Sequence, residues 1–415
     1  MTTMIELGKR AKAASIELAK LPAEVKNRAI VAMAKALEKK SKEIIIANKK
    51  DVEAAQMKGI KAALLDRLVL DESRIRTMAQ CLRDVVALPD PVNQIVRTWI
   101  RPNGLIIGQL RVPLGVVGII YESRPDVTSD ASGICMKSGN AVILRGGSDA
   151  INSNIALGDV LAEAAVETGV PRGAIQVVRT TDRRTVEELM RLSGYVDVLI
   201  PRGGADLIQS VVKNSRVPVI ETGIGNCHIY VDNDADLEEV TALVLNSKCQ
   251  RPGTCNAAEK LLIHQKIAEN FLPKIVQSLR DAKVEVRGDA ETRRIVPDVK
   301  VATDEDWYAE YLDLIIGIKV VPSIDAAINH INKYGSKHTD AILTRDFHKA
   351  LRFIKEVDSA SVNWNASTRF TDGNQYGLGA EIGISTQKIH ARGPLSVEHL
   401  TTIKYFVLGR GHIRK

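Results

Sequence analysis

The stretch VVGIIYESRPDVTSDASGICMKSGNAVILRGG, residues 116–147, contains two short apolar runs with a longer segment between them. The runs, Val116–Tyr121 and Ala141–Leu144, are rich in Val, Ile and Leu and have the length of buried strands. Two parallel strands need a crossover connection, which is usually a helix. The stretch therefore predicts a βα unit, the building block of an α/β fold.

Apolar runs and helical segments continue to alternate along the chain. The remaining predicted strands of this first series are Ile175–Val178, Val196–Ile200 and Val217–Ile220. A second series follows Cys255, with predicted strands at Leu261–His264, Val284–Val286, Leu314–Val321, Ala341–Thr344 and Ser361–Trp364. Because crossover helices cover both faces of such sheets, each series predicts one doubly wound parallel sheet.

The flanking segments predict a helical N-terminal region and a small β element. Residues 3–88 have helical periodicity, and Asp71 is the expected N-cap of the clearest helix. In Ile95–Arg111 the residue types alternate around Asn103-Gly104, a two-residue turn typical of a β-hairpin. A lone hairpin is marginally stable, so we expect it to pair with a strand near Val397–Val407 or with a partner subunit in a homo-oligomer.

These patterns define three predicted parts of the chain. The first series and the helices before it form a dinucleotide-binding domain of residues 1–94 and 113–222. The hairpin and the C-terminal strand, residues 95–112 and 397–415, form a small β oligomerisation element. The second series forms a catalytic domain of residues 223–396.

Composition indicates a soluble globular protein in a reducing compartment. Of the 415 residues, 45% are apolar and only 4% are aromatic, which suits an aliphatic α/β core. The five cysteines lack paired spacing, and no apolar run reaches the roughly 18 residues of a membrane-spanning helix. No C-x-x-C or H-E-x-x-H spacing occurs. We therefore expect a cytoplasmic protein without disulfides, a membrane span or a metal site.

The net charge of +7 raises the alternative of a basic nucleic-acid-binding protein. The 57 basic and 50 acidic residues are mixed along the chain, as they are on a solvated surface. Nucleic-acid-binding proteins also tend to carry aromatic residues among the basic ones, or a recognition motif, and the sequence has neither. The distribution of charge therefore indicates a solvated protein surface, and we expect no nucleic-acid partner.

A loop broken by Gly and Pro, SKCQRPGTCN at residues 247–256, presents a thiol between a helical pattern and a buried strand. Arg251 and Lys248 bring positive charge near Cys255, and cations favour the nucleophilic thiolate over the thiol. Free cysteines are more often small buried hydrophobes. The loop alone therefore leaves a catalytic role and a packing role open for Cys255.

The tripeptide Arg-Gly-Gly follows two strands of the first series, as Arg145-Gly146-Gly147 and as Arg202-Gly203-Gly204. Doubly wound sheets bind ligands beyond the carboxyl ends of their strands. Glycine allows close approach of the backbone, and arginine binds phosphate through two parallel hydrogen bonds. The repetition favours a dinucleotide site over two exposed turns, although G-x-G-x-x-G is absent. With no acidic residue expected near Arg145 to bind a ribose hydroxyl, NADPH is the expected cofactor.

From about Pro113 to the C-terminus the chain resembles the aldehyde dehydrogenase superfamily. Within it, the chain resembles the gamma-glutamyl phosphate reductase family, also called glutamate-5-semialdehyde dehydrogenases. Four segments carry this resemblance and are together highly specific: YESRP at 121–125, ETGIGNCH at 221–228, RPGTCN at 251–256, and Val321–Ile342 with its His338-Thr339-Asp340. The resemblance implies the two-domain fold of the superfamily.

The resemblance also assigns roles to residues. Cys255 matches the superfamily's nucleophile, and Glu221 matches the carboxylate of its Glu-x-Gly-Gly motif. Arg145 stands where the superfamily has a cofactor-binding lysine, and Glu310 is similar to its glutamate near the nicotinamide ribose. The Pro-Trp-Asn-Phe-Pro segment of the hydrolytic members, whose Asn helps to bind the oxyanion, is replaced around residues 121–125.

With that asparagine missing, the backbone N–H of Cys255 is the expected oxyanion donor, and Asn256 is the candidate for a second. The resemblance implies reduction of L-glutamate 5-phosphate by NADPH to L-glutamate 5-semialdehyde, with release of phosphate, in proline biosynthesis. The reaction would pass through a cysteine thioester. Because the substrate is anionic, Arg124 and Arg251 are candidates for holding its phosphate or carboxylate.

Two further expectations follow from this resemblance. Glutamate 5-kinase is a candidate partner. A hydrolytic aldehyde dehydrogenase, in which Glu221 activates the water that cleaves the thioester, remains the alternative activity. When the aldehyde is oxidised, the two activities differ in what attacks the thioester, phosphate in one and water in the other.

Overall fold

The structure, a computed structural model, describes residues 3–60 and 62–414. In this part of the chain the helices are α1 Met4–Leu18, α2 Ala23–Lys39, α3 Ser41–Met57, α4 Ala62–Leu68, α5 Glu72–Ala87, α6 Asp126–Lys137, α7 Ile151–Val166, α8 Arg184–Met190, α9 Ala205–Asn214, α10 Leu237–Cys249, α11 Gln265–Asp281, α12 Ala290–Ile295, α13 Asp304–Tyr308, α14 Ile324–Tyr334 and α15 Phe347–Glu356. The strands are β1 Ile95–Ile100, β2 Ile106–Pro113, β3 Val116–Tyr121, β4 Ala141–Gly146, β5 Ile175–Val177, β6 Val198–Arg202, β7 Cys227–Val231, β8 Ala258–His264, β9 Glu285–Gly288, β10 Lys300–Val301, β11 Ile315–Val321, β12 Thr339–Leu343, β13 Ser361–Trp364, β14 Gly383–Ser385, β15 Gly393–Leu395 and β16 Thr401–Leu408.

The chain forms two compact units that meet in sequence between Thr222 and Gly223. The first unit comprises Met1–Thr222, Gly377–Gly383 and Leu395–Lys415, and the second comprises Gly223–Tyr376 and Ile384–Pro394. Gly377–Gly383 belongs to the first unit, although the sequence placed it in the domain of residues 223–396. Its residues pack there, since Ile382 donates its N–H to the carbonyl of Leu395 at 2.9 Å.

The sheet at the centre of the first unit is parallel, with the strand order β5-β4-β3-β6. β3 and β4 are buried along their whole length. The predicted strand Val217–Ile220 is wrong, because only Val219 bridges to Leu199 of β6. Pro218 has no N–H to donate, which stops the ladder there. The chain leaves β3 towards β4 and later returns to the other side of β3, so the sheet has a switch point of the kind that binds ligands.

Of the N-terminal helices, α1 packs on this sheet, and α2 and α5 pack on each other and on α6. In α5 the buried residues lie on one stripe: Ile75, Met78, Ala79, Leu82 and Val85. The Asp71 carboxylate accepts the N–H of Arg74 at 2.7 Å, which confirms the predicted N-cap. Each fully buried aliphatic side chain of such a stripe contributes roughly 1.5–3 kcal/mol to stability.

The predicted hairpin forms a three-stranded antiparallel sheet in the order β1-β2-β16. Gly104 in its turn has φ +88, a left-handed conformation that favours glycine over residues with a Cβ. β16 pairs with β2 along its whole length, from Thr401 opposite Pro113 to Leu408 opposite Ile106. The predicted pairing of the hairpin with the C-terminal strand is therefore confirmed, but Val397–Leu400 is a 3₁₀ turn instead of the start of the strand.

The second unit contains a seven-stranded parallel sheet in the order β10-β9-β11-β8-β7-β12-β13. The five predicted strands are present, Ser361–Trp364 with the predicted bounds and the other four with shifted ends. Two strands of the sheet were not predicted, β7 and the short edge strand β10. β8 and β7 are central neighbours, with Ile229 opposite Leu261. Because β7 and β8 are parallel, the loops that precede them lie next to each other at the amino-terminal ends of the two strands. None of the helices in the described residues is long and apolar enough to cross a membrane.

Candidate active site

The loop that carries Cys255 joins α10 to β8 in the second unit. Its turns are closed by the Thr254 hydroxyl, which donates to the Arg251 carbonyl at 2.9 Å, and by the Ala257 N–H, which donates to the Thr254 carbonyl at 3.0 Å. Cys255 is half-buried, whereas the chain enters β8 fully buried three residues later. A second thiol of this segment, Cys249, lies in the last turn of α10, where burial raises its pKa. Cys255 therefore lies in a turn just before the amino-terminal end of β8, a central strand of the sheet.

A second loop, which leads into β7, lies against the nucleophile loop. A Cβ on Gly225 would stand 1.5 Å from the carbonyl oxygen of Cys255, so only glycine allows this approach. The Gly225 N–H donates to Oε1 of Glu310 at 2.7 Å, and burial raises the pKa of that carboxyl group. The thiol of Cys227, fully buried at the start of β7, donates to the same Cys255 carbonyl at 3.1 Å. Glu310 therefore lies next to the nucleophile loop within this unit.

Asn256 is tied to the loop that follows β13. Its side chain is almost fully buried, and its Nδ2 donates to the carbonyls of Arg369 at 3.4 Å and of Thr371 at 2.9 Å. Its Oδ1 lies 3.0 Å from the hydroxyl oxygen of Thr254. Both amide hydrogens are thus directed at backbone carbonyls. This geometry does not support the predicted oxyanion-donor role and assigns Asn256 to ordering the loop.

The cations near Cys255 differ from those expected. Lys248 is fully buried and its Nζ lies 2.8 Å from Oε2 of Glu259, so it faces the interior. Arg251 is exposed in the loop as expected. The additional cation is Arg369, whose Nη1 donates to the Thr254 hydroxyl at 3.0 Å. Arg369 follows β13 in sequence and belongs to none of the motifs identified in the sequence.

A buried lysine, Lys260, forms hydrogen bonds with two segments that lie near the nucleophile loop. Lys260 on β8 donates to Oδ1 of Asn226 at 2.9 Å and to the carbonyl of Ala309 at 2.7 Å. Its ammonium group also lies 4.4 Å from the ring centre of Tyr311. Burial, which the charge of Glu259 partly offsets, lowers the pKa of Lys260 to about 7. The lysine holds the residues that neighbour Gly225 and Glu310.

In the first unit, a cavity of about 200 Å³ opens at the carboxyl ends of β3 and β4. Its lining includes Arg145, Gly147, Asp149 and Arg183. Nη1 of Arg145 donates to the Gly146 carbonyl at 3.1 Å, and its buried Nε makes no hydrogen bond within the described residues. Burial, followed by the nearby charge of Arg183, lowers the pKa of Arg145. The cavity therefore has two arginines and an unsatisfied donor, which suit an anionic ligand.

Two features of this cavity differ from the sequence prediction. Arg183, which precedes α8, was not singled out, although it is the second arginine of the cavity. Asp149 also lines the cavity and accepts a hydrogen bond from Ser123, so an acidic residue does lie near Arg145. Gly146 is required by packing, since a Cβ there would stand 2.0 Å from Nδ2 of Asn154.

The second Arg-Gly-Gly turn is occupied by a carboxylate of the chain itself. Oε2 of Glu122 accepts the N–H of Gly204 at 3.1 Å, and a Cβ on Gly203 would stand 2.4 Å from it. Gly204 is the N-cap of α9, so the carboxylate lies where a helix N-terminus favours negative charge. A phosphate at this turn would therefore have to displace Glu122.

Arg124 and Arg202 both interact electrostatically with Asp130 on α6 in the first unit. Burial and the nearby Asp126 raise the pKa of Asp130 well above its usual range, while the two arginines act in the opposite direction. Asp130 is a titratable group that the sequence analysis did not identify.

Glu221 is half-buried at the end of the first unit, beside Thr222, whose hydroxyl donates to the Pro201 carbonyl at 2.7 Å.

Comparison with known proteins identifies the family to which this fold belongs. The model of the aldehyde dehydrogenase family matches residues 3–295. The chain belongs to the aldehyde dehydrogenase family. Members of this family use nicotinamide cofactors.

The relatives at high identity share one more specific name, gamma-glutamyl phosphate reductase. One from Caldanaerobacter subterraneus subsp. tengcongensis is 58% identical over 98% of both chains, and one from Caldicellulosiruptor saccharolyticus is 56% identical over the full length of both. The crystal structure of the gamma-glutamyl phosphate reductase from Thermotoga maritima is 51% identical, with a TM-score of 0.96 over 99% of this chain and 100% of that one.

Proposed function

We propose that this chain reduces L-glutamate 5-phosphate to L-glutamate 5-semialdehyde, with NADPH as the reductant and with release of phosphate, as a step of proline biosynthesis. The observation that carries the proposal is the Cys255 turn with Arg251 and Arg369 beside it, a thiol next to cations. The name shared by relatives that span the whole chain supports the substrate.

In the proposed first step, the thiolate of Cys255 attacks the acyl carbon of the substrate. A C–S bond forms, the C–O bond to phosphate breaks, and phosphate leaves with the bonding electron pair. The backbone N–H of Cys255 is the candidate donor to the tetrahedral oxyanion, and the close approach of Gly225 fixes that backbone. When bound, NADPH supplies the hydride that converts the thioester into the aldehyde and returns the thiolate.

The cavity of the first unit fits the cofactor by its chemistry. Arg145 and Arg183 offer guanidinium groups for the 2′-phosphate that distinguishes NADPH from NADH, and Gly147 allows close backbone approach. Glu310, similar to the glutamate near the nicotinamide ribose, remains a proposed cofactor ligand, as do Gly203 and Gly204 with Arg202. Arg124 and Arg251 remain proposed substrate ligands.

The three-stranded sheet β1-β2-β16 is the proposed contact surface between copies of the chain. The sheet β1-β2-β16 exposes apolar side chains such as Ile100, Tyr405, Val407 and Leu408, and exposed apolar patches of this kind mark contact surfaces. We propose that a second copy of the chain covers them, that the enzyme acts in the cytoplasm, and that a glutamate 5-kinase supplies the acyl phosphate.

The test runs the reaction backwards, from the semialdehyde and NADP⁺, with and without inorganic phosphate. Groups that stabilise the departing phosphate also position it for attack on the thioester, by microscopic reversibility. NADPH formation should therefore require phosphate, saturate with it, and yield an acyl phosphate that hydroxylamine traps. Rapid NADPH formation in phosphate-free buffer, with free carboxylate as the product, would instead show the hydrolytic activity with Glu221 as the base.

A further inference from the structure

We infer that Arg369 and Arg251 form an anion site beside Cys255 that receives the phosphate group as it leaves the acyl carbon. The inference rests on the proposed function and deepens it, because it names the residues that take the leaving group. Both arginines and the nucleophile belong to the second unit. Arg369 is the new element, since it lies far from the loop in sequence.

Arg369 is attached to the nucleophile loop on both sides of Cys255. Its Nη1 donates to the hydroxyl of Thr254, the preceding residue, at 3.0 Å. Its carbonyl accepts from Nδ2 of Asn256, the following residue, at 3.4 Å. Nε donates to Oε1 of Gln250 at 2.8 Å. These contacts orient the guanidinium group next to the thiol.

One edge of this guanidinium group is available to a ligand. Nη2 of Arg369 makes no hydrogen bond to any of residues 3–60 and 62–414, while Nε and Nη1 are both used. Asp372 interacts electrostatically with Arg369, and its Oδ1 accepts the N–H of Asn374 at 2.9 Å. The free donor therefore suits an oxygen atom from outside the chain.

The charges around Arg369 favour an anion. Burial lowers the pKa of Arg369, and the nearby charge of Arg251 acts in the same direction, whereas Asp372 and Cys255 act to raise it. Two guanidinium groups in one another's field repel, and a bound phosphate relieves the repulsion. Arginine binds phosphate with two parallel charge-assisted hydrogen bonds, which are roughly twice as strong as neutral ones.

The turn that carries Arg369 is anchored to the helix before the nucleophile. Oγ of Ser367 lies 2.9 Å from Oγ of Ser247 on α10, and its carbonyl accepts from Nδ2 of Asn363 at 2.9 Å. Ser247 also accepts the N–H of Thr368 at 3.3 Å. A donor fixed in this way needs no reorganisation when negative charge develops on the leaving group.

The test measures the Michaelis constant for inorganic phosphate in the reverse reaction, for wild type, Arg369→Gln, Arg369→Lys and a control, Arg352→Gln. Arg352 is a partly exposed arginine of the same unit, in ion pairs with Asp325 and Glu356. We expect Arg369→Gln to raise KM for phosphate by about tenfold or more, as for a lost hydrogen bond to a charged group. Arg369→Lys should raise it less, and KM for the semialdehyde should change by less than about twofold.

A second measurement needs no turnover. Inorganic phosphate should slow the alkylation of Cys255 by iodoacetamide in wild type and in Arg352→Gln, but not in Arg369→Gln. Circular dichroism and thermal melting check that each variant is folded. If Arg369→Gln lowers kcat while KM for phosphate and the protection by phosphate stay as in wild type, Arg369 only orders the loop and the inference is overturned.

The two proposals can fail separately. Aldehyde oxidation by wild type without phosphate would overturn the proposed function. Protection of Cys255 by phosphate, lost on Arg369→Gln, would still support the anion site in that case. Absence of protection in wild type would overturn the anion site even if the oxidation depends on phosphate.

Discussion

The carbonyl oxygen of Cys255 lies 1.5 Å from the position that a Cβ would occupy on Gly225. Real Cβ atoms do not approach other atoms within 3.0 Å, so Gly225→Ala must push the two loops apart. A displacement of about 1 Å at a reacting centre costs roughly a hundredfold in rate. We expect kcat/KM of Gly225→Ala to fall by at least about that factor in a steady-state assay. The control is Gly194→Ala, where a Cβ meets nothing within 4 Å among the described residues. Equal activity of the two variants would contradict the close approach.

Cys255→Ala should lose essentially all turnover, by about a thousandfold or more, because the thioester cannot form. Cys249→Ala is the matched control, since Cys249 ends α10 and burial raises its pKa, which disfavours the thiolate. It should keep activity close to wild type. Initial rates of NADPH oxidation measure both. Retained turnover in Cys255→Ala would rule out the thioester route.

Arg145→Ala and Arg183→Ala should each weaken NADPH more than NADH. The two arginines line one cavity, and the extra phosphate of NADPH is the group that they would bind. We expect the ratio of kcat/KM for NADPH to that for NADH to fall by about tenfold in each variant. Arg179→Ala, a surface arginine paired with Asp159, should leave the ratio unchanged. An unchanged ratio in both cavity variants would move the 2′-phosphate elsewhere, with Arg202 next to be tested.

Lys260 should make stability depend on pH. Burial lowers its pKa in the folded protein to about 7, from 10.5 for an exposed lysine. Between these values the unfolded chain holds a proton that the folded chain has released, so the free energy of unfolding rises with pH. The slope is at most about 1.4 kcal/mol per pH unit.

Lys260→Met removes this contribution. Its stability relative to wild type should therefore be most favourable near pH 7 and decline towards pH 9, as measured by urea unfolding at several pH values. Lys266→Met, at an exposed position just after β8, should keep the pH dependence of wild type. A difference between wild type and Lys260→Met that does not change with pH would contradict the lowered pKa.

The three-stranded sheet should be a contact surface between copies of the chain. Tyr405 and Leu408 of β16 are 60% and 56% exposed, although they are large and apolar. Replacing both with lysine places charge on this face, and buried unpaired charges oppose association. We expect light scattering at micromolar concentration to show an oligomer for wild type and smaller species for the double variant. A monomeric wild type would contradict the assembly.

Sequence by itself determined the elements whose signals are local. The Val-, Ile- and Leu-rich runs indicated β3 and β4, because a buried strand must be apolar on both faces. Asn103-Gly104 indicated the hairpin, because its turn needs a positive φ, which Gly104 has. Pro252-Gly253 indicated that Cys255 lies in a turn. Each signal depends on a few neighbouring residues and on backbone geometry.

Tertiary structure alone decided which charges meet at the nucleophile. Lys248 is seven residues from Cys255 but faces the interior, because the orientation of α10 pairs it with Glu259 at 2.8 Å. Arg369 lies 115 residues after Thr254 and nevertheless donates to its hydroxyl. That contact exists because the turn after β13 is anchored to α10 through Ser367 and Ser247. Sheet order and helix orientation are set by packing of the whole core, so no local pattern could reveal them.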